Sequence, residues 1–146
     1  MTMYSDTITL FNFHNDMWYP HIIRGVDAVG VSNGAGATAL NGTTSTDSGT
    51  ILIQSSSNKM INADNVLKYY APPKEYAALE NVENTVTFQL QKDFIILGEY
   101  GSTEPIADTD YIAGFYDDIN SRYDTVYQIV SAVFYSLIPH FEIGVR

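Results

Sequence analysis

Alternation of apolar and polar residues is the main pattern along the chain, and it predicts β-strands. TITLFNF (7–13) and WYPHIIRGVDAVGV (18–31) are strand-like segments. The turn formers Asn15 and Asp16 lie between them, so the two segments predict an opening β-hairpin. ILIQ (51–54) predicts a short buried strand.

The same alternation returns in the second half of the chain. In TVTFQLQ, from residue 85, apolar and polar residues alternate. A turn at Lys92 and Asp93 is predicted before the apolar run FIILG, so the two segments predict a second pair of strands. TVYQIVSAVFY, from residue 125, and HFEIGVR, from residue 140, predict two more strands joined by SLIP.

The segment HFEIGVR has the clearest division into two faces. Phe141, Ile143 and Val145 are predicted on the core side, and His140 and Glu142 on the other. As a terminal strand, the segment is expected at a sheet edge, where unpaired backbone groups would accept a strand from a neighbouring subunit. The three apolar residues are therefore assigned to assembly.

One segment has the period of an amphipathic helix. Asp108 or Asp110 is expected to cap its first turn, and Arg122 suits the negative end of its dipole. Its apolar face consists of residues at i, i+3, i+4, i+7 and i+11, namely Ile112, Phe115, Tyr116, Ile119 and Tyr123.

Two segments lack a clear strand pattern. Residues 32–50 are rich in Gly, Ser, Thr and Asn, and residues 55–84 mix turn and helical signals around Pro72 and Pro73, so both are predicted as long flexible loops. The remainder contains about seven strands and one short amphipathic helix, without βα alternation. This pattern predicts a mainly β fold, a small antiparallel β-barrel or sandwich, in a single domain spanning residues 1–146.

Charge and composition limit the classes of function that the chain can have. The chain of 146 residues has 17 acidic and 7 basic residues, a net charge of −10, and the basic residues are scattered. Tight binding to nucleic acid through phosphate neutralisation is therefore not expected. The chain has no basic segment before an apolar run and no long apolar stretch, so we expect a soluble protein without export signal or membrane span.

One short motif suggests catalysis. The chain contains no cysteine, which excludes disulfides and thiolate catalysis. Asp47 begins Asp-Ser-Gly-Thr, which resembles the active-site turn of aspartic proteases, and a chain with one such motif would have to act as a dimer. The polar sequence before Asp47 favours a solvated turn. A dimeric aspartic protease is kept as an alternative function.

Metal and cofactor sites are not expected. His14, His21 and His140 lie far apart, without the spacing that presents two imidazoles to one metal. A group of acidic residues lacks EF-hand spacing and is expected to cap the helix and cover a solvated face. Its members are Asp108, Asp110, Asp117, Asp118 and Asp124.

Gly30, Gly34 and Gly36 lack the following Lys-Ser/Thr of a phosphate loop.

A set of aromatic residues leaves a third possibility open. Trp18, Tyr19, Tyr69 and Tyr70 would line a sugar-binding surface if they were exposed in a groove. Core packing or a subunit interface is the preferred interpretation. A carbohydrate-binding tail module is kept as a second alternative.

Three segments resemble those of a known group of proteins. DTITLFNFHNDMWYPHIIRGV (6–26), FQLQKDFIILGE (88–99) and SLIPHFEIGVR (136–146) look like segments of small proteins encoded by tailed phages and prophages of Gram-positive bacteria. That group lies among head and connector genes and resembles minor capsid and head-tail connector proteins of the stopper type. The likeness covers about the first 30 and the last 60 residues.

This resemblance implies a non-enzymatic structural protein of the virion. Such a chain would fold as a small β-barrel and form part of a homo-oligomeric ring beneath the portal, extending the DNA channel and carrying the tail. Its partners would be portal or adaptor and tail proteins. It would be located in the phage particle, and in the host cytoplasm during assembly.

Overall fold

The computed structural model describes residues 5–30 and 48–146. These residues form ten β-strands, two short α-helices and one 3-10 turn. The helices are α1 (Pro73–Ala77) and α2 (Phe115–Arg122), and the 3-10 turn is Asp108–Asp110. The strands are β1 (Asp6–His14), β2 (Met17–Val29), β3 (Gly49–Gln54), β4 (Met60–Ala63), β5 (Val66–Tyr70), β6 (Thr85–Val86), β7 (Phe94–Leu97), β8 (Ile106–Ala107), β9 (Val126–Tyr135) and β10 (His140–Val145).

Six of these strands close into an antiparallel barrel. Their order is β1-β7-β9-β10-β3-β2, and β2 pairs back with β1 to complete the ring. The seventh strand, β8, adds to the outside of β2. The predicted mainly β fold, a small antiparallel barrel, is confirmed.

The opening hairpin forms as the sequence predicts. β1 and β2 pair from Asp6 opposite Val26 to His14 opposite Met17. The two residues between the strands, Asn15 and Asp16, have φ values of 50° and 63°. Asn and Asp tolerate this left-handed conformation, and its twist matches that of the flanking strands.

The strand β10 occupies the interior of the sheet. It pairs with β9 on one side and with β3 on the other, so the expectation that it lies at a sheet edge is wrong. The reason is that β3, which lies far earlier in the chain, pairs along the side of β10 that β9 leaves free. The predicted division of faces is confirmed, because Phe141, Ile143 and Val145 are buried in the core.

The segment 55–84, predicted as a loop, contains β4, β5 and α1 instead. With β6 these strands form a second sheet of three strands, in which β5 and β6 are parallel. Pro73 opens α1 rather than breaking it, since the first turn of a helix needs no proline N–H. Ile61 and Tyr76 bury their side chains against the barrel and a smaller cluster respectively.

The predicted pair of strands after residue 85 does not form, because β6 lies in the three-stranded sheet beside β5, whereas β7 pairs with β1 and β9 in the barrel. β6 ends at Val86, β7 begins at Phe94, and the intervening residues are not in a strand. Side-chain hydrogen bonds described below replace the expected strand ladder there. The segment 32–50 lies outside the described residues, apart from 48–50, of which Gly49 and Thr50 begin β3.

The helix α2 starts three residues later than its apolar period suggests. Gly114 precedes it with a φ of 93°, and Ile112 remains fully exposed. Phe115 and Ile119 are buried as predicted. Asp108 Oδ1 accepts a hydrogen bond from the Phe115 N–H at 2.9 Å, so its predicted role at the helix N-terminus is confirmed.

Candidate functional site

The predicted assembly residues lie inside the barrel. The Phe141 ring packs against three aromatic rings, with centroid distances of 4.7 Å to Tyr70, 5.2 Å to Phe88 and 5.0 Å to Phe134. Ile143 is buried in the same cluster. These side chains therefore pack in the barrel core, and their assignment to assembly stays a prediction.

The glycine and aspartate motifs fall largely outside the described structure. Asp47, the residue on which the protease alternative depends, is outside the described residues, as are Gly34 and Gly36. Gly30 follows β2 with a φ of 82°.

The four aromatic residues considered for sugar binding do not share a surface. Trp18 is buried in the core cluster around Phe94 and donates its Nε1–H to Asp108 Oδ1 at 2.8 Å. Tyr70 packs against the barrel core, and Tyr19 packs against the small cluster around α1. Of the four, Tyr69 is the exposed one.

The histidines and acidic residues do not converge on a metal site. Within residues 5–30 and 48–146, no three His, Cys, Asp or Glu side chains are grouped as metal ligands. Asp108 is instead bonded to Trp18 and Phe115, and these two hydrogen bonds lower the pKa of its carboxyl group. Asp118 forms an ion pair with Arg122 at 2.9 Å.

A buried polar cluster joins the small sheet to β2. The Lys68 Nζ donates to Asp64 Oδ2 at 2.6 Å and to His21 Nδ1 at 3.0 Å. Asp64 Oδ1 accepts from the Ile22 N–H at 2.8 Å, and the Asp64 N–H donates to the Ile22 carbonyl at 2.8 Å. The cluster therefore fixes the three-stranded sheet to the barrel.

The charge state of this cluster follows from its burial. Burial, together with the ammonium of Lys68, lowers the pKa of His21 to about 3, so the imidazole is neutral at pH 7. Because Nδ1 accepts from Lys68, the proton of the neutral ring is on Nε2. The ammonium of Lys68 is held between two acceptors, which suits a structural ion pair better than a nucleophile.

A polar cleft of about 350 Å³ lies beside this cluster. Its lining includes three acidic side chains, those of Asp64, Glu83 and Glu104, and one basic side chain, that of Lys68, so acidic groups predominate. No arrangement of nucleophile, base and oxyanion donors is present among its lining residues. Those residues are Tyr19, Pro20, His21, Asp64, Lys68, Glu83, Asn84, Thr103, Glu104 and Pro105.

A second buried carboxyl group, that of Asp93, connects β1 with the segment before β7. Its oxygens accept from Asn12 Nδ2 at 2.8 Å and from the Phe13 N–H at 3.0 Å. Gln89 donates both its N–H and its Nε2–H, each at 2.9 Å. Burial raises the pKa of Asp93 to about 7, against the four donors, which lower it.

Asn12 extends this network to the end of the small sheet. Its Nδ2 donates to the Thr87 carbonyl at 2.7 Å, and its Oδ1 accepts from the Thr87 N–H at 3.1 Å. One amide side chain thus bonds both backbone groups of Thr87, as a neighbouring strand would. This explains why residues 87–93 lie against the barrel without forming a strand.

An exposed apolar surface lies on the β9–β10 hairpin. Leu137 and Ile138, in the turn between the strands, are 95% and 76% exposed, and Val133 and Tyr135 on β9 are 48% and 44% exposed. We call these four residues the hairpin surface. The ten residues 129–138 contain no charged side chain, in a chain of net charge −10.

Sequence reasoning missed the Asp64 and Asp93 networks. Asp64 and Asn65 have φ values of 57° and 63° and form a two-residue turn between MINA and VLKYY, a hairpin signal as clear as that at Asn15 and Asp16. A lysine inside the following strand, Lys68, is a further signal, because a lysine that is buried needs a partner. Asp93 had no comparable signal.

Comparisons with known proteins add no assignment: no protein-family model, no curated protein and no solved structure matches the chain. Among the described residues, no helix has the length and apolar character needed to cross a membrane.

Proposed function

We propose that this chain is a non-enzymatic structural component of a phage or prophage virion. Its role is that of a head-tail connector protein, of the stopper or head-completion type, in a ring at the junction of portal and tail. The hairpin surface carries the proposal, together with the resemblance of three segments to connector proteins. Four exposed apolar side chains without a charge among them are typical of a surface that another protein covers.

The charge of the chain supports the same role. A net charge of −10 disfavours contact with DNA, so DNA can pass through a channel built from such subunits without binding to its wall. The polar cleft and the Asp93 network also fit a structural protein, since their side chains connect strands and sheets to one another.

The position of the hairpin surface is suited to docking. The surface projects from the turn between β9 and β10, while the core side chains of β10 fix the base of the hairpin in the barrel. A partner can therefore cover Leu137 and Ile138 without a rearrangement of the core.

Phage particles provide the test. We expect the chain in purified tailed particles, in a fixed ratio to the portal protein, and we expect its gene between portal and tail genes. Replacing Leu137 and Ile138 by serine should give filled heads without tails. Ile112→Ser, which changes another exposed apolar residue, is the matched control and should leave tailed particles.

Two results would contradict the proposal. One is absence of the chain from purified particles that contain portal and tail proteins. The other is measurable peptide cleavage that is lost on Asp47→Ala, which would favour the protease alternative.

A further inference from the structure

Half of strand β9 has a free backbone edge. β7 pairs with β9 from Val126 to Gln128, and the Ile129 backbone bonds to Asp93 and Gln91. Beyond Ile129, β9 pairs with β10 on its inner side, but no other described residue hydrogen-bonds to its outer side. Residues 130–135 therefore present unpaired N–H and C=O groups to a further strand.

This edge lacks most of the features that usually prevent strands from joining. Natural sheet edges are protected by charged side chains, proline, β-bulges or very short strands, and of these features only a bulge, at the first residue, is present between residues 130 and 135. Residues 130–135 read VSAVFY, with no charge and no proline. One bulge, at Val130, interrupts the pairing with β10, and the five residues after it continue in regular register.

The distribution of charge indicates which molecule pairs with the free edge of β9. Two copies of a chain with a net charge of −10 repel each other over most orientations, but residues 129–138 contribute no charge to that repulsion. The nearest carboxylate on the neighbouring strand, that of Glu142, is bonded to His140 Nε2 at 3.1 Å. Because the side chains of residues 130–135 carry no charge of their own, they add no like-charge repulsion when two identical edges meet.

We infer that the outer edge of β9 pairs antiparallel with the same edge of a second copy of this chain. The two barrels then share one continuous sheet across a two-fold axis, with Val133 and Tyr135 of each copy close to the partner strand. A two-fold contact between identical edges satisfies the free groups of both copies at once. This inference concerns the purified chain alone. It shares Val133 and Tyr135 with the hairpin surface, so pairing with a second copy and docking of another protein would compete for these two residues.

Sedimentation of the purified full-length chain tests the inference. From about 1 µM to about 1 mM, we expect a concentration-dependent monomer–dimer equilibrium. Val133→Lys should weaken the dimer by about tenfold or more, because it places a charged side chain on the pairing edge. Val66→Lys is the matched control: Val66 is 50% exposed on β5, in the other sheet, and the variant should leave the dimer intact.

Hydrogen exchange separates strand pairing from side-chain contact. In the dimer, alternate amides of residues 130–135 should exchange more slowly than in the monomer, whereas those of β5 should be unchanged. Thermal melting of Val133→Lys confirms that the variant is folded. A chain that is monomeric throughout the range overturns the inference. A dimer that survives Val133→Lys, or that forms without protection of residues 130–135, also overturns it.

Discussion

Asp64 and Ile22 form two reciprocal hydrogen bonds across the junction of the two sheets. The Asp64 carboxylate accepts the Ile22 N–H, and the Asp64 N–H donates to the Ile22 carbonyl, each at 2.8 Å. Asp64 therefore bonds to the backbone of β2 as a residue of a neighbouring strand would. It does so between the part of β2 that pairs with β8 and the part that pairs with β3. Its second carboxylate oxygen neutralises Lys68.

The first prediction concerns the charge on Asp64. Asp64→Asn keeps a side chain that tolerates a positive φ and an oxygen for Ile22, but it leaves the buried Lys68 without a counter-charge. We expect a loss of about 3 kcal/mol in the free energy of unfolding, measured by urea denaturation. Adding Lys68→Met should restore most of it, because the unpaired charge is then gone.

The ion pair of Asp118 with Arg122 is the control for Asp64→Asn, because its two residues have the same spacing in the sequence as Asp64 and Lys68. Asp118 and Arg122 are also four residues apart, but on an exposed helix face. Asp118→Asn should cost less than about 1 kcal/mol. Equal losses for Asp64→Asn and Asp118→Asn would show that burial of Lys68 does not determine the energy of its ion pair.

The second prediction concerns two titrations of opposite sign. The folded pKa of His21 is lowered from 6.5 to about 3, so its contribution to stability is full above pH 6.5 and is lost as pH falls towards 3. The folded pKa of Asp93 is raised from 3.8 to about 7, so its contribution is lost as pH rises through that window. Between about pH 4 and 6.5 the two effects oppose each other.

Replacing His21 or Asp93 singly should show how the titration of each residue affects the free energy of unfolding. Relative to the unsubstituted chain, the unfolding free energy of His21→Gln should fall with rising pH by up to about 1.4 kcal/mol per pH unit between pH 4 and 6. That of Asp93→Asn should rise with pH by a similar slope. Urea denaturation at several pH values measures both. Parallel pH profiles for the two variants would contradict the opposed signs.

The third prediction concerns Asn12. Asn12→Ala removes three hydrogen bonds and leaves both backbone groups of Thr87 buried without partners. We expect a loss of about 2 to 4 kcal/mol in the unfolding free energy and faster hydrogen exchange at the Thr87 amide. Gln54→Ala, which removes one exposed side-chain bond to Gly25, should cost less than about 1 kcal/mol.

The fourth prediction concerns β10. Phe141→Ala should cost about 3 to 5 kcal/mol, since it opens a cavity among three aromatic rings. Leu137→Ala, at an exposed turn position of the same hairpin, should change stability by less than about 0.5 kcal/mol. Deleting residues 141–146 should lower the melting temperature sharply, and an unchanged melting temperature would show that β10 is dispensable.

The sequence predicted correctly those elements whose hydrogen bonds join nearby residues and those in which apolar and polar residues lie on opposite faces. The turn at Asn15 and Asp16, the buried face of β10 and the buried pair Phe115 and Ile119 belong to this group. In each case, short-range spacing determines which side chains face the core. The fold class followed from the number and spacing of such segments.

Features that depend on distant partners escaped prediction. The backbone of Thr87 bonds to the side chain of Asn12, which is 75 residues away. The segment around Thr87 therefore forms no strand, although its apolar and polar residues alternate. The interior position of β10 depends on its pairing with β9 on one side and with β3 on the other, and alternation does not specify the order of strands. The cluster at Lys68 joins residues from two sheets, and its hydrogen bond to His21 spans 47 positions.

The place of β10 between β9 and β3 also constrains how the protein is made. β3 and β9 are separated by more than seventy residues and are joined through β10, so the barrel stays open while β10 is still inside the ribosome. At a synthesis rate of about 5 to 20 residues per second, β3 waits several seconds for its partner. During that interval, β3 can pair with β2 on one side, while the side that β10 covers in the folded protein has no strand partner.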